Sequence, residues 1–284
     1  MLEGHDPARP RLLSLLLRDP VTAVAVGIVA LALCAAVAAP LLAPHDPAAQ
    51  QLEHAFSPPS ERFPLGADHL GRDMLSRLLY GGRATLFSAG LVLALTIAVA
   101  VVVGLSAGYY GGWVDACLMR LADLLLAFPS LLLAVAIAGT LGPNLLNVVL
   151  ALAVVGWAGY ARILRGMVMS CRQEEYVQAA VALGAPPRRI MGRHILCNTI
   201  GPMIVLASLD VGAIILGIAG LNFLGLGMQP PGAEWGAMLH AAQPHLQTDP
   251  QLLLVPGTAI FVAVLSFNLV GDALRDALDP TSTD

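Results

Sequence analysis

The sequence of 284 residues contains no lysine, and all 15 of its basic residues are arginine. Charged residues of any kind make up only 12 % of the chain, which is about half of the fraction in a typical soluble domain. A Walker A phosphate loop needs a lysine that reaches the nucleotide phosphates, and a Schiff base needs a lysine amine. The chain is therefore neither its own P-loop ATPase nor a Schiff-base enzyme.

Potential metal ligands are also few. The four cysteines form no CxxC pair and are Cys34, Cys117, Cys171 and Cys197. Cysteine beside an apolar run is most often a small packing residue, so we expect neither a disulfide nor a metal cluster. A second group of polar residues fits no metal-ligand spacing and consists of Glu234, His240, His245 and Asp249. We interpret it as a set of solvated loop residues and expect this chain to bind no metal or cofactor.

Catalytic patterns are missing as well. The sequence shows no Ser/His/Asp or Cys/His arrangement, no HExxH motif and no basic surface interleaved with aromatic residues. We therefore expect a protein that is not an enzyme and that has no nucleic-acid partner.

Apolar residues dominate, at 57 % of the chain. Several runs reach the length of about 20 apolar residues that crosses a bilayer. The pattern predicts an all-α integral membrane protein with six transmembrane helices, at about 21–43, 84–108, 121–141, 145–168, 198–222 and 252–270. Residues 1–19 form a polar N-terminal segment, and residues 20–284 form one transmembrane domain.

The arginines predict the orientation. With a cytoplasmic N-terminus, 11 of them lie inside and 4 outside, as the positive-inside rule favours. Both termini and the loop 171–197 are then cytoplasmic.

The stretch from Glu175 to Asn198 is a long polar-rich interruption in the second half of the chain. Tyr176, Ala179, Ala180 and Leu183 recur at helical spacing, and Gly184 is typical of a residue just past a helix end. Pro186 and Pro187 prevent simple continuation of that helix. A second short helix follows from Arg188 to Leu196, with Ile190, Met191 and Ile195 on one side and Arg189 and Arg193 on another. Such a bent pair fits a groove in another protein; alternatively, it lies on lipid headgroups.

Four segments resemble signatures of one family. The first is similar to the EAA loop of ABC-importer permeases, at Glu175, Ala179, Ala180, Gly184, His194, Ile195 and Leu196, with Cys197 in place of the usual proline. Residues 64–86 resemble the signature of the peptide/nickel branch, except for Ala67 and Ala84. The segments 223–238 (FLGLG, then EWG and Met238) and 271–280 (GD.LRD.LDP) resemble two further signatures of that branch.

The resemblance implies a C-type permease with the type I ABC-importer fold, N-in and C-in, in the bacterial cytoplasmic (inner) membrane. Its implied partners are a homologous B-type permease, two ABC ATPase subunits that use ATP and Mg, an extracytoplasmic substrate-binding protein and the lipid bilayer. The ATPase-coupling residues would be Glu175, Tyr176, Ala179, Ala180, Gly184, Ala185, Arg189, Arg193 and His194. The binding-protein contacts would be Arg72, Asp73, Pro231, Glu234 and Trp235. For the 271–280 segment we prefer a C-terminal cap to a direct ATPase contact.

Three residues are candidates for the transport pathway: Asp210, Asn222 and Phe223. Asp210 lies in the middle of the fifth span, where a carboxylate costs about 2.5–3.5 kcal/mol on insertion scales, so it should face a cavity or a partner. It is either a pathway or gating residue, such as one that meets a cationic substrate group, or a structural carboxylate bonded to a neighbouring helix. Earlier in the chain, we expect an amphipathic interface helix with Met74, Leu75, Leu78 and Leu79 on its apolar face. Asp73 and Arg77 lie on its polar face at a spacing that lets them pair.

We therefore predict a permease subunit of an ATP-driven importer of di- and oligopeptides. The same architecture that imports nickel or a metal chelate is the close alternative. A secondary transporter or channel and an intramembrane enzyme are alternatives of other classes; the first would carry more intramembrane charges, and the second would need a catalytic constellation.

Overall fold

A computed structural model of the protein describes residues 19–278, and this range is a bundle of α-helices. The helices are α1 (Pro20–Leu42), α2 (Met74–Tyr110), α3 (Gly112–Leu126), α4 (Ser130–Leu141), α5 (Leu145–Cys171), α6 (Glu175–Ala182), α7 (Pro187–Phe223), α8 (Trp235–Ala242) and α9 (Gln251–Leu278). The architecture confirms the predicted all-α class. The N-terminal segment 1–18, together with Asp279 and Pro280 of the C-terminal signature, lies outside the described residues.

Two loop regions meet at one end of the bundle. Residues 43–73 and 224–250 form what we call the capped end, where the Gln251 amide donates to Leu65 O at 3.0 Å and Asn144 N donates to Leu226 O at 3.2 Å. Residues 172–195 lie at the opposite end, where the Arg172 guanidinium covers the ring of Tyr109 at 5.6 Å. The long helices run between these two ends.

Five helices are long and apolar enough to cross a membrane: α1, α2, α5, α7 and α9. The helices α3 and α4 reach the length and hydropathy of a further span only when they are taken together, and they are bent by 90° relative to each other, as in a broken span or a re-entrant loop. The prediction of one continuous helix at 121–141 is therefore wrong. The break falls at Phe128 and Pro129, because proline lacks an N–H donor and disfavours helical geometry in the residue before it.

At two places where we predicted that one helix ends and another begins, the structure has a single longer helix. The interface helix at Met74 and the second span form a single helix of 37 residues. In the same way, the second loop helix and the fifth span form one helix, α7, also of 37 residues, with a wider π-helical turn at Ile190–Ile195. Cys197, which replaces the family's proline, lies inside α7 and its thiol contacts Gly192 O at 3.5 Å. The helix α9 continues to Leu278, beyond the predicted end at 270.

Glycines let α2 approach α5 closely. A Cβ atom at Gly104 would lie 2.9 Å from Ala161 O, and one at Gly108 would lie 2.7 Å from the Cβ of Val168. Small residues four apart are a common device by which membrane helices approach each other, since packing rather than apolar burial drives their association. The contact fixes the two helices that supply one side of the cavity described below.

Candidate functional site

The capped end is built around the buried carboxylate of Asp68. Its Oδ2 accepts from Arg72 Nε at 2.7 Å and lies 3.5 Å from Arg77 Nε, while its Oδ1 accepts from the Arg72 backbone N–H at 3.0 Å. All three side chains are buried. Charges removed from water in this way need partners to offset the loss of hydration. Arg72, a predicted binding-protein contact, is thus an interior residue of the cap.

Asp73 begins α2. Its Oδ2 accepts from the Ser76 backbone N–H at 3.0 Å and from the Ser76 hydroxyl at 2.6 Å, which is typical of an N-cap residue. The predicted Asp73–Arg77 pair is therefore wrong, because Asp73 precedes the first helical turn and Arg77 pairs with Asp68 instead. These polar side chains face the cap rather than water. The binding-protein contact of Arg72 and Asp73 stays a prediction, and both side chains are enclosed.

Arg77 joins the two loop regions of the cap. Its guanidinium donates to Pro47 O at 3.1 Å, and to Pro231 O and Gly232 O, each at 3.4 Å. Pro231, another predicted binding-protein contact, is exposed at the surface. One side chain of α2 thereby fixes the loop before that helix to the loop after α7.

Glu234 and Trp235 anchor α8 on α2. Glu234 is fully buried; its Oε1 accepts from the Thr85 hydroxyl at 2.7 Å and its Oε2 from the Ala237 backbone N–H at 2.9 Å. Burial raises the pKa of Glu234, and these hydrogen bonds oppose the shift. Trp235 Nε1 donates to Leu78 O at 2.9 Å. Trp235 is 6 % exposed, so it packs inside the cap, and the binding-protein contact of Glu234 and Trp235 stays a prediction.

Two of the pathway candidates lie at the end of α7. Asn222 is 1 % exposed; its side chain donates to Ile218 O at 2.8 Å and accepts from Met228 N at 2.6 Å. Phe223 is half-buried, and its carbonyl contacts His240 Nδ1 at 2.8 Å. Asn222 therefore closes the turn that follows α7, and a pathway role for either residue stays a prediction.

The third candidate, Asp210, lines a cavity of about 500 Å³ between α2, α4, α5 and α7. The Tyr160 hydroxyl donates to Asp210 Oδ2 at 2.5 Å. Thr96 lies in the same wall, and its hydroxyl is buried with no hydrogen-bond partner among the described residues. Sequence reasoning did not select Tyr160 or Thr96. The only signal was a hydroxyl within each apolar span, and nothing local places these residues beside Asp210.

The predicted coupling residues surround a sharp turn at the opposite end. Gly184 has φ +78, and Gly184 N and Ala185 N donate back to Val181 O and Ala180 O at 2.9 and 3.0 Å, which closes the end of α6 as predicted. Most of these residues are exposed, namely Glu175, Tyr176, Ala179, Gly184, Arg189 and Arg193; Ala180, Ala185 and His194 are partly buried.

The two faces of the second loop helix are confirmed. Ile190 and Ile195 are buried, whereas Arg189 and Arg193 are exposed. Tyr176 Oη and Cys171 Sγ lie 3.0 Å apart, and this hydrogen bond raises the pKa of Tyr176 to about 12. The loop is thus attached to the bundle through its apolar face and leaves its arginines at the surface.

Two ion pairs attach α3 to α5: Arg162 with Asp123, and Arg165 with Asp115. Each pair joins two different helices, so these contacts hold the start and the end of α3 against the second half of α5.

The histidines of the capped end pack on aromatic rings or backbone. The rings of His69 and His245 stack at 5.2 Å, and burial lowers the pKa of His69. Within residues 19–278, no three side chains of His, Cys, Asp or Glu converge as metal ligands would.

Residues 100–283 match the family described as the binding-protein-dependent transport system inner membrane component. The chain is 44 % identical to the nickel transport system permease protein of Escherichia coli K12 over 84 % of this chain and 86 % of the relative. It is 43 % identical to the dipeptide transport system permease protein of Alkalihalophilus pseudofirmus, over 86 % and 81 %. It is also 43 % identical to the glutathione transport system permease protein of Pectobacterium atrosepticum, over 78 % and 74 %.

A bundle of membrane-spanning helices that matches these proteins over most of its length defines a transport permease. The chain belongs to the binding-protein-dependent transport permease family, in the peptide and nickel branch of the ABC importers. It is a multi-pass protein of the bacterial cytoplasmic membrane. This confirms the resemblance that the four sequence signatures indicated.

Proposed function

We propose that this subunit forms half of a translocation pathway for di- and oligopeptides and that α6 with the start of α7 docks on a partner ATPase. The observation that carries the docking step is the exposed surface of this loop. Tyr176, Val181 and Leu183 are 43, 53 and 88 % exposed, beside the exposed cations Arg188 and Arg189. Exposed apolar side chains next to charged ones are typical of a protein interface.

The continuity of α7 supports transmission of movement. The helix runs without a break from Pro187, next to the proposed docking surface, to Phe223 at the capped end. Asp210 lies between these two ends and lines the cavity. If α7 moves as one body, a displacement at its start moves the wall of the cavity and the base of the cap together. This is the arrangement that alternating access requires.

The remaining parts of the transporter follow from the family. A homologous B-type permease would complete the pathway, two ATPases would hydrolyse ATP with Mg, and an extracytoplasmic binding protein would deliver the substrate at the capped end. The orientation is N-in and C-in, which puts the docking loop in the cytoplasm, where ATP is available. This chain makes and breaks no covalent bond.

Nickel or a metal chelate is the second candidate substrate. It is supported by the 44 % identity to a permease whose name specifies nickel transport, which is similar to the 43 % identity to the dipeptide and glutathione permeases. The identities do not separate the candidates, and the cavity carboxylate suits a positive charge from either substrate.

The docking step is tested with Leu183→Asp. Leu183 is 88 % exposed, so the change leaves the packing of this chain intact and places a charge on the proposed interface. The control is Leu246→Asp at the capped end, where the leucine is 52 % exposed. The assembly is purified through a tag on this chain and reconstituted into proteoliposomes, and ATPase retention and ATP-dependent uptake are measured.

We expect Leu183→Asp to lose both the ATPases and the uptake, and Leu246→Asp to keep the ATPases. Normal ATPase retention and normal uptake in Leu183→Asp would show that this loop is not the coupling element. Uptake of peptides, but not of nickel chelates, by the unchanged assembly would support the first substrate class. The reverse preference would support the second.

A further inference from the structure

Only one oxygen of the Asp210 carboxylate forms a hydrogen bond with the described residues. Oδ2 accepts the hydrogen bond from Tyr160, whereas Oδ1 has no hydrogen-bond partner among the described residues. The two arginines that follow Tyr160 on α5 pair with other carboxylates, Arg162 with Asp123 and Arg165 with Asp115. Asp210 takes part in no ion pair within residues 19–278. An exposed, unpaired carboxylate within a membrane span is costly, so something outside this chain should offset its charge.

We infer that the Asp210 cavity is a recognition site for one positive charge on the transported substrate. This inference rests on the proposed function. The group is an ammonium, such as the N-terminus of a peptide, or the net positive charge of a metal chelate. A charge-assisted hydrogen bond to a carboxylate is stronger than one between neutral groups.

The cavity has the size and the lining for this role. Its volume of about 500 Å³ lies within the range of about 300–1,000 Å³ of small-molecule sites. The wall is mainly apolar and includes Leu152 and Ile214. Apolar walls with one charged group select for charge and tolerate different side chains. That combination suits a transporter of peptides with varied sequences.

Thr96 supplies an independent observation. It is 2 % exposed, and its hydroxyl has no partner among the described residues, although a buried polar group without a hydrogen bond is rare and costly. A Cβ atom on Gly156 would lie 3.2 Å from this hydroxyl. A substrate amine in the cavity would give the Thr96 oxygen a donor after a small rotation of its side chain.

Tyr160 is a positioning residue for this site. Its hydroxyl holds Oδ2 and so fixes the plane of the carboxylate, which leaves Oδ1 as the acceptor for the substrate. Tyr160→Phe keeps the ring and removes this bond. We expect this change to weaken the preference for cationic substrates and to leave the assembly intact.

The test measures uptake by the assembly purified through a tag on this chain, in proteoliposomes, with the same binding protein throughout. Each peptide is supplied with a free or an acetylated N-terminus, and nickel is supplied as a cationic or a neutral chelate. The variants are Asp210→Asn and Tyr160→Phe. The control is Asp272→Asn, which removes another exposed carboxylate near the C-terminal end of α9.

The readout is the ratio of uptake of the charged form to uptake of the neutral form. Because the binding protein is constant, its own selectivity cancels between variants. We expect the ratio to fall about tenfold in Asp210→Asn, the usual effect of losing a hydrogen bond to a charged group. Tyr160→Phe should lower it less, and Asp272→Asn should not change it. A change with peptides alone identifies an ammonium, and a change with chelates alone identifies a metal complex.

An unchanged ratio in Asp210→Asn, with uptake maintained, would overturn the site while leaving the proposed function intact. If Asp210→Asn fails to assemble, Tyr160→Phe decides: an unchanged ratio in that variant overturns the site. If the unchanged assembly takes up neither substrate class in an ATP-dependent way, the proposed function fails, and the site fails with it.

Discussion

The hydroxyl of Thr85 donates a hydrogen bond to the carboxylate of Glu234 at 2.7 Å, across 149 positions of sequence. Thr85 lies on α2, and Glu234 is the N-cap residue of α8. The same carboxylate accepts the backbone N–H of Ala237, so one buried side chain both caps α8 and holds it on α2. The two loop regions of the capped end therefore depend on a group whose charged form is disfavoured by burial.

This relationship predicts a pH dependence of stability. Burial raises the pKa of Glu234 above its usual 4.5, so the fold favours the protonated form. The stability that the protonated Glu234 contributes is fully present below about pH 4.5, and it is lost as the pH rises through the raised pKa of the folded state. Glu234→Gln resembles the neutral carboxyl group. We expect its melting temperature in detergent to fall less than that of the unchanged protein between about pH 4 and pH 8.

The control for this experiment is Glu61→Gln, because Glu61 is an exposed residue of the same cap and should follow the unchanged protein. Glu234→Ala should be less stable at every pH, since it loses the cap of α8 and the Thr85 bond. Parallel pH curves for Glu234→Gln and the unchanged protein would show that burial does not disfavour the charge.

The close contact between α2 and α5 makes a second prediction. A Cβ atom at Gly108 would lie 2.7 Å from Val168 and 2.9 Å from Arg165 O, so Gly108→Ala should lose about 1–3 kcal/mol by overpacking. A Cβ atom at Gly90, on the same helix, would meet nothing within 4 Å. Gly90→Ala should therefore be neutral or stabilising by up to about 1 kcal/mol through helix propensity. Unfolding in mixed detergent micelles measures both, and equal stabilities would refute the close approach.

The sequence predicted what depends on neighbours along the chain. Hydropathy located most of the spans, and helical spacing placed Ile190 and Ile195 inward and Arg189 outward. These features hold because side chains three or four residues apart share a helix face. The same rule failed at Asp73 and Arg77. The spacing was right for a pair, but Asp73 lies before the first turn, and the loop brings Asp68 to the arginine instead.

The cavity depends on contacts that spacing does not encode. Tyr160 and Asp210 are 50 residues apart, and their meeting is set by the packing of α5 against α7. The bend between α3 and α4 had a local signal in Pro129, but the apolar run on both sides of that proline suggested a continuous span. The lining of the cavity therefore depends on long-range packing between helices, whereas the bend depends on the local geometry of Pro129.

Arg77 supports a third prediction, about the integrity of the cap. Its guanidinium bonds three carbonyl groups in two loops, and a lysine has neither the planar fork nor the number of donors to replace it. We expect Arg77→Lys to loosen residues 43–73 and to speed trypsin cleavage after the exposed Arg62. The control is Arg83→Lys, since Arg83 is exposed and makes no hydrogen bond or ion pair with the described residues. Equal cleavage rates in the two variants would contradict the role of Arg77.

The ion pairs between α3 and α5 support a fourth prediction, which concerns their unequal strength. The side chains of Asp115 and Arg165 are 19 and 29 % exposed, whereas those of Asp123 and Arg162 are 57 and 51 % exposed. Water and salt screen the second pair more strongly, and exposed pairs contribute only about 0.2–1 kcal/mol. We therefore expect Asp115→Asn to lower the free energy of unfolding by about 1.5–3 kcal/mol, which is typical for the loss of a hydrogen bond to a charged group. Asp123→Asn should lower it less.

A double-mutant cycle isolates each pair from the packing of the helices. The coupling energy between Asp115→Asn and Arg165→Gln should exceed the coupling between Asp123→Asn and Arg162→Gln. It should also survive added salt, which should abolish the second coupling. Because α3 contacts α5 while the bend redirects α4, loss of the first pair should free α3 before it disturbs the cavity. Equal coupling energies, or equal sensitivity to salt, would show that burial does not separate the two pairs.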